Sequence, residues 1–443
     1  MNAEGVRRRD LLAYGALGLP LAFAALPLYV HVPRLYAELG LPLATVGAVL
    51  LAARIVDALT DPLIGWALDR MPGRRAWVAA ALPLLGLGMI GLLAPPDGAG
   101  VLWLLVLLVL VSLGYSVASI AHNAWGAEVA PTSALRTRFV ASREGFALAG
   151  VMLAAALPAV LAAEGGEAAG LARLAQVFLP MLLVFGLWTL WRAPLPATAV
   201  PARRPVLAGL GSALRVPGFG RLLAVFAVNG IAAAIPSATV LFFVADVLGA
   251  TTFAGAFLVL YFAAAAASLP LWVRVSQRVG KLRAWLAGMG LAVAVFGWAA
   301  TIGQGDLLAY GAICVLSGMA LGADLSLPPS LLADLLARAR DDAQQRGGDS
   351  HAGACFGWWN FVTKANLALA AGLALPLLAA LGYAPGATAP EALAALSVVY
   401  AVVPVGLKLL AVALLWRWRH VLETASATQL PAAARTPCGA CET

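Results

Sequence analysis

Arg54-Ile55-Val56-Asp57-Ala58-Leu59-Thr60-Asp61-Pro62-Leu63-Ile64-Gly65-Trp66-Ala67-Leu68-Asp69-Arg70-Met71-Pro72-Gly73-Arg74-Arg75 contains the end of an apolar run that begins near residue 42. A run of that length crosses a bilayer, whose hydrocarbon core needs ~20 helical residues. An ionised side chain there costs at least ~2.5–3.5 kcal/mol, so each needs a partner or a cavity. Asp57 and Asp61 are four apart and share one helix face, with Arg54 three residues earlier on the same side. Two carboxylates beside one guanidinium leave one formal negative charge in excess. Na⁺ or a proton meets that excess, and Thr60 adds a hydroxyl to an all-oxygen donor set suited to a hard cation. The competing reading is a structural ion cluster that locks helices together. Beyond it, Gly73 permits a tight turn, and Asp69 is placed to face a neighbouring helix N-terminus or an Arg.

The rest of the chain repeats this pattern. Its 443 residues are 62% hydrophobic and 11% charged, too few charges to coat a soluble surface. Apolar runs long enough to span lie at roughly residues 11–32, 42–68, 77–95, 101–122, 145–163 and 172–191, and again at roughly 219–245, 252–273, 282–302, 307–336, 354–381 and 394–415. The fold class is therefore an all-α membrane protein of twelve transmembrane helices. Lys and Arg collect in alternate loops, at Arg70, Arg74, Arg75, Arg136 and Arg138, in the linker 192–218 (Arg203, Arg204), and at Arg274, Arg278, Lys281, Arg338 and Arg340. The opposite loops carry Arg34 and Arg173. The positive-inside rule then places both termini in the cytoplasm. The net charge of +8 is thereby topological and gives no reason to expect nucleic acid. Cys438 and Cys441 form a C-x-x-C in a tail without further ligands nearby, and Cys314 and Cys355 read as small buried hydrophobes.

Six spans precede the Pro- and Arg-rich linker and six follow it, an internal repeat typical of transporters. This gives an N-terminal bundle over 1–191, a linker over 192–218, a C-terminal bundle over 219–420 and a tail over 421–443. Gln277-Arg278-Val279-Gly280-Lys281-Leu282-Arg283 echoes the Gly65-to-Arg75 segment. That segment resembles the loop signature of the major facilitator superfamily, with one residue inserted. Arg54-x-x-Asp57-Ala58-x-x-Asp61-Pro62-x-x-Gly65 resembles the second span of the glycoside–pentoside–hexuronide:cation symporters, the melibiose-carrier branch. His122-Asn123-Ala124-Trp125-Gly126-Ala127-Glu128, with Arg136, Arg138, Arg143 and Glu144 after it, is similar to that family's segment between spans four and five. Gly353-x-x-Phe356-Gly357-x-x-Asn360-Phe361-x-x-Lys364 is similar to its eleventh span.

The resemblance implies the major facilitator fold, two six-helix bundles around a midplane cavity that opens alternately to either side. It implies a cation at Asp57, Asp61, Thr60 and Ser116, with Lys364 either facing that site or snorkelling to an interface. The sugar-gripping acids of the melibiose carriers fall near Leu21 and Ala22 and at Ser119, where this chain is apolar or carries one hydroxyl. A substrate other than a galactoside follows, sugar-like or amphipathic. Further candidates for substrate or coupling contacts are Arg54, Tyr115, Ser119, Asn123, Arg143, Asn229, Asp324 and Trp359. Asp324, before Pro328-Pro329, reads as a second proton site, a substrate contact or a structural pair. Asn229 reads as a substrate contact or a cross-helix bond, and Lys408 as a snorkelling residue or a local pair. A gate is expected at Asp69, Arg70, Arg74, Glu128, Arg138 and Asp334.

The function expected is cation-coupled symport, with Na⁺ or H⁺ as the coupling ion and no other cofactor. The expected partners are a small-molecule substrate and the lipid bilayer, for a monomer in a bacterial inner membrane. A proton-driven exporter of an amphipathic or lipid-like compound and a non-transporting receptor on the same fold are the alternatives. An enzyme is not expected, since no H-E-x-x-H, G-x-S-x-G or P-loop occurs.

Overall fold

The computed structural model describes residues 6–71, 73–161, 166–195, 211, 213–346 and 351–423. The basic residues Arg203 and Arg204 and the Cys438/Cys441 pair lie outside them, as do most of the linker and of the tail. Among the described residues all regular structure is helical. The first bundle comprises α1 (Gly18–Glu38), α2 (Leu43–Arg70), α3 (Arg74–Leu93), α4 (Val101–Val129), α5 (Ser133–Leu161) and α6 (Gly166–Arg192). The second comprises α7 (Phe219–Phe242), α8 (Ala254–Val279), α9 (Lys281–Ala299), α10 (Leu307–Arg346), α11 (Ala352–Ala380) and α12 (Val403–Arg417). Among the described residues ten helical stretches are long and apolar enough to cross a membrane, from α3 to the last, Pro390–Arg417, which ends as α12, and α1 and α2 complete the twelve expected.

The expected first span is one run, but the chain breaks it. A short helix, Arg8–Gly15, ends before α1 begins. Backbone groups exposed by such a break need partners inside a membrane protein. Thr189 of α6 supplies them: its hydroxyl accepts from Leu17 N–H at 3.2 Å and donates to the Ala13 carbonyl at 2.7 Å. The segment expected as a loop between spans four and five is mostly helix, because α5 starts at Ser133 and α4 runs on to Val129. Hydropathy marks only the part of a helix that lies in hydrocarbon, so polar extensions of this kind escape it.

Alpha7 continues into a π-helical turn at Phe243–Val247, and a second such turn, Val398–Val402, leads into α12. The two turns pack together through Phe243 stacked on Tyr400, with centroids 4.1 Å apart. Beyond α11, Tyr383 donates to Asp246 at 2.5 Å. Burial, and then that carboxylate, push its phenol above the usual tyrosine range.

The bundles meet most closely where α2 crosses α11. A Cβ on Gly65 would lie 2.2 Å from the Gly353 carbonyl oxygen, and one on Gly353 would lie 2.4 Å from the Gly65 carbonyl oxygen. Small residues of this kind let two backbones touch in a membrane. Leu148 of α5 packs with Ala265 and Leu269 of α8 as a second apolar seam.

Candidate functional site

Asp57 and Asp61 lie on the face of α2 turned towards α4 and α11, and both are buried. Pro62, one residue on, lacks the N–H that would bond the Ala58 carbonyl, which loosens the helix beside the two acids. Lys364 of α11 reaches between them. Its Nζ is 2.7 Å from Asp57 Oδ2 and 2.8 Å from Asp61 Oδ2. It also donates to Asp61 Oδ1 at 3.0 Å and to Ser116 Oγ at 2.7 Å. Ser116 of α4 in turn donates to Asp57 Oδ1 at 2.9 Å. The amide of Asn360, one turn before Lys364, donates to Asp61 Oδ2 at 2.9 Å.

Lys364 thus faces the site, the first of its two readings, while Arg54 and Thr60 depart from theirs. The cation seated between both acids is Lys364, whereas Arg54 is exposed on α2. Thr60 donates to the Asp57 backbone carbonyl at 3.0 Å, so its hydroxyl is held by its own helix instead of the carboxylates. Asn360, quoted only as part of a motif, is the amide at the site. Two carboxylates against one ammonium leave one negative charge. Asp57 Oδ2, both Asp61 oxygens and Ser116 Oγ surround one point, which the ammonium occupies. Oxygen donors of this kind suit a small hard cation. Among the described residues no three His, Cys, Asp or Glu side chains gather to hold a metal ion.

A second set of charges closes one end of the molecule, the end rich in Arg and Lys. Asp69 accepts from the backbone N–H groups of Gly353 and Ala354 at 2.7 and 2.8 Å, at the start of α11. A helix N-terminus favours a carboxylate through its free N–H groups and its dipole. Arg74 holds Asp69 at 3.0 Å and Glu128 at 2.8 Å, tying α2, α3 and α4. On α10, buried Asp334 takes Arg136 of α5 at 3.0 Å, Lys281 of α9 at 2.6 Å and Ser133 at 2.7 Å. Beside it, Thr137 and Ser330 hydroxyls share a bond of 2.8 Å. Arg138, expected in the gate, is exposed, and Arg136 two residues earlier makes the contact. Arg70 is exposed as well and lies over the Trp66 ring, 5.5 Å from its centroid.

The remaining candidates scatter. Arg143 pairs with its neighbour Glu144. Tyr115, Ser119 and Asn123 are half-buried on α4, and Asn123 Oδ1 has no hydrogen-bond partner. His122 is tied to the first short helix, its Nε2 2.8 Å from the Tyr14 carbonyl while Tyr14 donates back to the His122 carbonyl at 2.8 Å. Trp359, expected against substrate, is buried and stacked on Phe226 at 3.7 Å. Asn229 and Asp324 are not at the Asp57 site. Both contact Lys408 inside the second bundle. Sequence reasoning left Lys281, Trp285 and Asn360 without site roles, because each is recognisable only from its distant partner.

The FucP transporter in its outward conformation superposes with a TM-score of 0.69 at 15% identity, covering 95% of this chain and 100% of that one. A bacterial homologue of the iron transporter ferroportin in an outward-facing state gives 0.68 at 17% identity, covering 94% and 100%. The proton:xylose symporter XylE gives 0.67 at 14% identity, covering 94% and 98%. At such identities the likeness is one of fold. No curated protein sequence matches the chain. The family model described as MFS/sugar transport protein matches residues 11–419, so the chain belongs to that transporter family of the major facilitator superfamily.

Proposed function

We propose that this membrane transporter is a symporter that couples Na⁺ or H⁺ to a small organic solute, sugar-like or amphipathic, through Asp57 and Asp61. The observation that carries the reading is the position of Lys364. Its ammonium stands where a coupling cation would stand, and it comes from the other bundle. A cation arriving at Asp57 Oδ2, Asp61 and Ser116 displaces the ammonium. The α2–α11 contact, which joins the bundles, is thereby altered by cation binding itself. Such differential contact is what a ligand needs to shift a conformational equilibrium. The excess of basic residues at the closed end supports placing that end in the cytoplasm. The form described is then closed inside.

Thermal unfolding of the purified protein against Na⁺, Li⁺, K⁺ and pH, for wild type and Asp61→Asn, tests this. A ligand that binds only the folded state raises stability with log concentration above its Kd. A Na⁺-specific shift lost in the variant supports sodium coupling. A pH response lost in the variant, with no metal response, supports proton coupling. Absence of both sinks the reading.

A further inference from the structure

The second bundle encloses a charge cluster that the Asp57 site does not use. Lys408 of α12 is 3% exposed and pairs with Asp324 of α10. Lys408 also donates to Asn229 of α7 at 2.8 Å, and the indole of Trp285 on α9 donates to Asp324 Oδ1 at 2.8 Å. Tyr261 of α8 lies within electrostatic reach of Asp324, and of Tyr400 and Cys314 beyond it. One acid and one ammonium, with five helices closed around them, make a neutral cluster whose desolvation brings the fold little net stability.

Two features connect this cluster to the moving parts. Pro328 and Pro329 lack the N–H groups that would bond the carbonyls of Asp324 and Leu325, so α10 is weakened directly after Asp324. Ten residues along the same helix is Asp334, which holds Arg136 of the opposite bundle. The second feature is on α11, the helix of Lys364. Asn366 packs so tightly on α7 that a Cβ on Gly230, next to Asn229, would lie 2.0 Å from its amide nitrogen.

We propose that Asp324 and Lys408 form a second ion-exchange site, which takes up and releases a proton as the Asp334 end of α10 opens and closes. In the step, the Asp324 carboxylate takes a proton from water and becomes a carboxylic acid. Lys408 keeps its proton and its bond to Asn229, and the cluster goes from neutral to one positive charge. An unpaired ammonium is tolerated only where water or an anion reaches it. The protonated form therefore favours a conformation in which α10 swings about its proline pair and admits water. Release of the proton restores the pair and the closed end. The site does not depend on the Asp57/Asp61 reading.

Cys355 is a built-in reporter of the closed end. It is fully buried in α11, with Sγ 3.9 Å from the Ala213 carbonyl, next to the N–H groups that hold Asp69. The full-length chain with Cys314→Ala, Cys438→Ser and Cys441→Ser is reacted with N-ethylmaleimide across a pH series in vesicles. Each rate is divided by that of the denatured chain, which removes the intrinsic thiol titration. A several-fold pH-dependent change in the ratio is expected. It should persist in Asp324→Glu and flatten in Asp324→Asn. Should Asp324→Asn fail to fold, Asp324→Asn/Lys408→Met removes both charges and is read the same way. A profile that superposes on wild type in either charge-removing variant, or a flat wild-type profile, overturns the proposal.

Discussion

Gly65 of α2 and Gly353 of α11 face each other so closely that neither position accepts a side chain: an added Cβ on either would stand 2.2 to 2.4 Å from the other's carbonyl oxygen. Four residues along on each helix, Asp61 and Gly357 repeat the contact, a Cβ on Gly357 meeting the Asp61 carbonyl at 2.6 Å. The two helices that carry the acids and Lys364 are thus held backbone to backbone, and one methyl group suffices to part them.

Gly65→Ala is expected to weaken the closed end without unfolding either bundle. Backbone atoms cannot yield as a flexible side chain does, so the helices must separate and Asp69 must leave the α11 N-terminus. Maleimide labelling of Cys355 should rise severalfold over wild type, with helix content by circular dichroism unchanged.

Lys364→Met removes the tethered ammonium and leaves two carboxylates facing each other. The like charges then demand a replacement cation. Calorimetric titration with Na⁺, and proton uptake on folding, should show tighter cation or proton binding than in wild type by tenfold or more. Unchanged binding would mean that the ammonium and the cation do not share these oxygens.

Asn360 and Thr60 separate by the same logic. Asn360→Ala takes a donor from Asp61 and should shift the cation response of thermal stability. Thr60→Val removes a hydroxyl that bonds only its own helix's backbone among the described contacts, and should leave that response within error.

Arg136→Gln leaves Asp334 with Lys281 and Ser133 but unties it from the guanidinium of the opposite bundle. Removing one partner of a buried pair is destabilising, and less so here because Lys281 still compensates Asp334. That loss should appear as easier opening of the closed end, read again at Cys355. Arg138→Gln, two residues away on an exposed face, should change neither opening nor melting temperature.

Much of this protein is written locally. Periodic apolar runs fixed the number of spans, because each helix must by itself satisfy its backbone and cover ~30 Å of hydrocarbon. The spacing of four placed Asp57 and Asp61 on one face, because helix geometry is a property of the chain alone. The motif Gly-x-x-x-Asp marked the α2 end, and the structure gives its two parts separate tasks, close packing at Gly65 and a helix N-terminus at Asp69. Which charges meet was decided elsewhere. Lys364 lies 303 positions from Asp61, and the Asp69 acceptor pairs with an N–H 284 positions away. Arg54 was placed by its spacing from Asp57 and Arg138 by the charges near it in sequence, but how far a helix is rotated, and which neighbour it meets, depends on the packing of all the others. That is why Arg136 and not Arg138 holds Asp334, and why Asn229, Asp324 and Lys408, on three separate helices, form one buried cluster. Local periodicity sets which residues travel together on a helix; only the assembled bundle sets what they face.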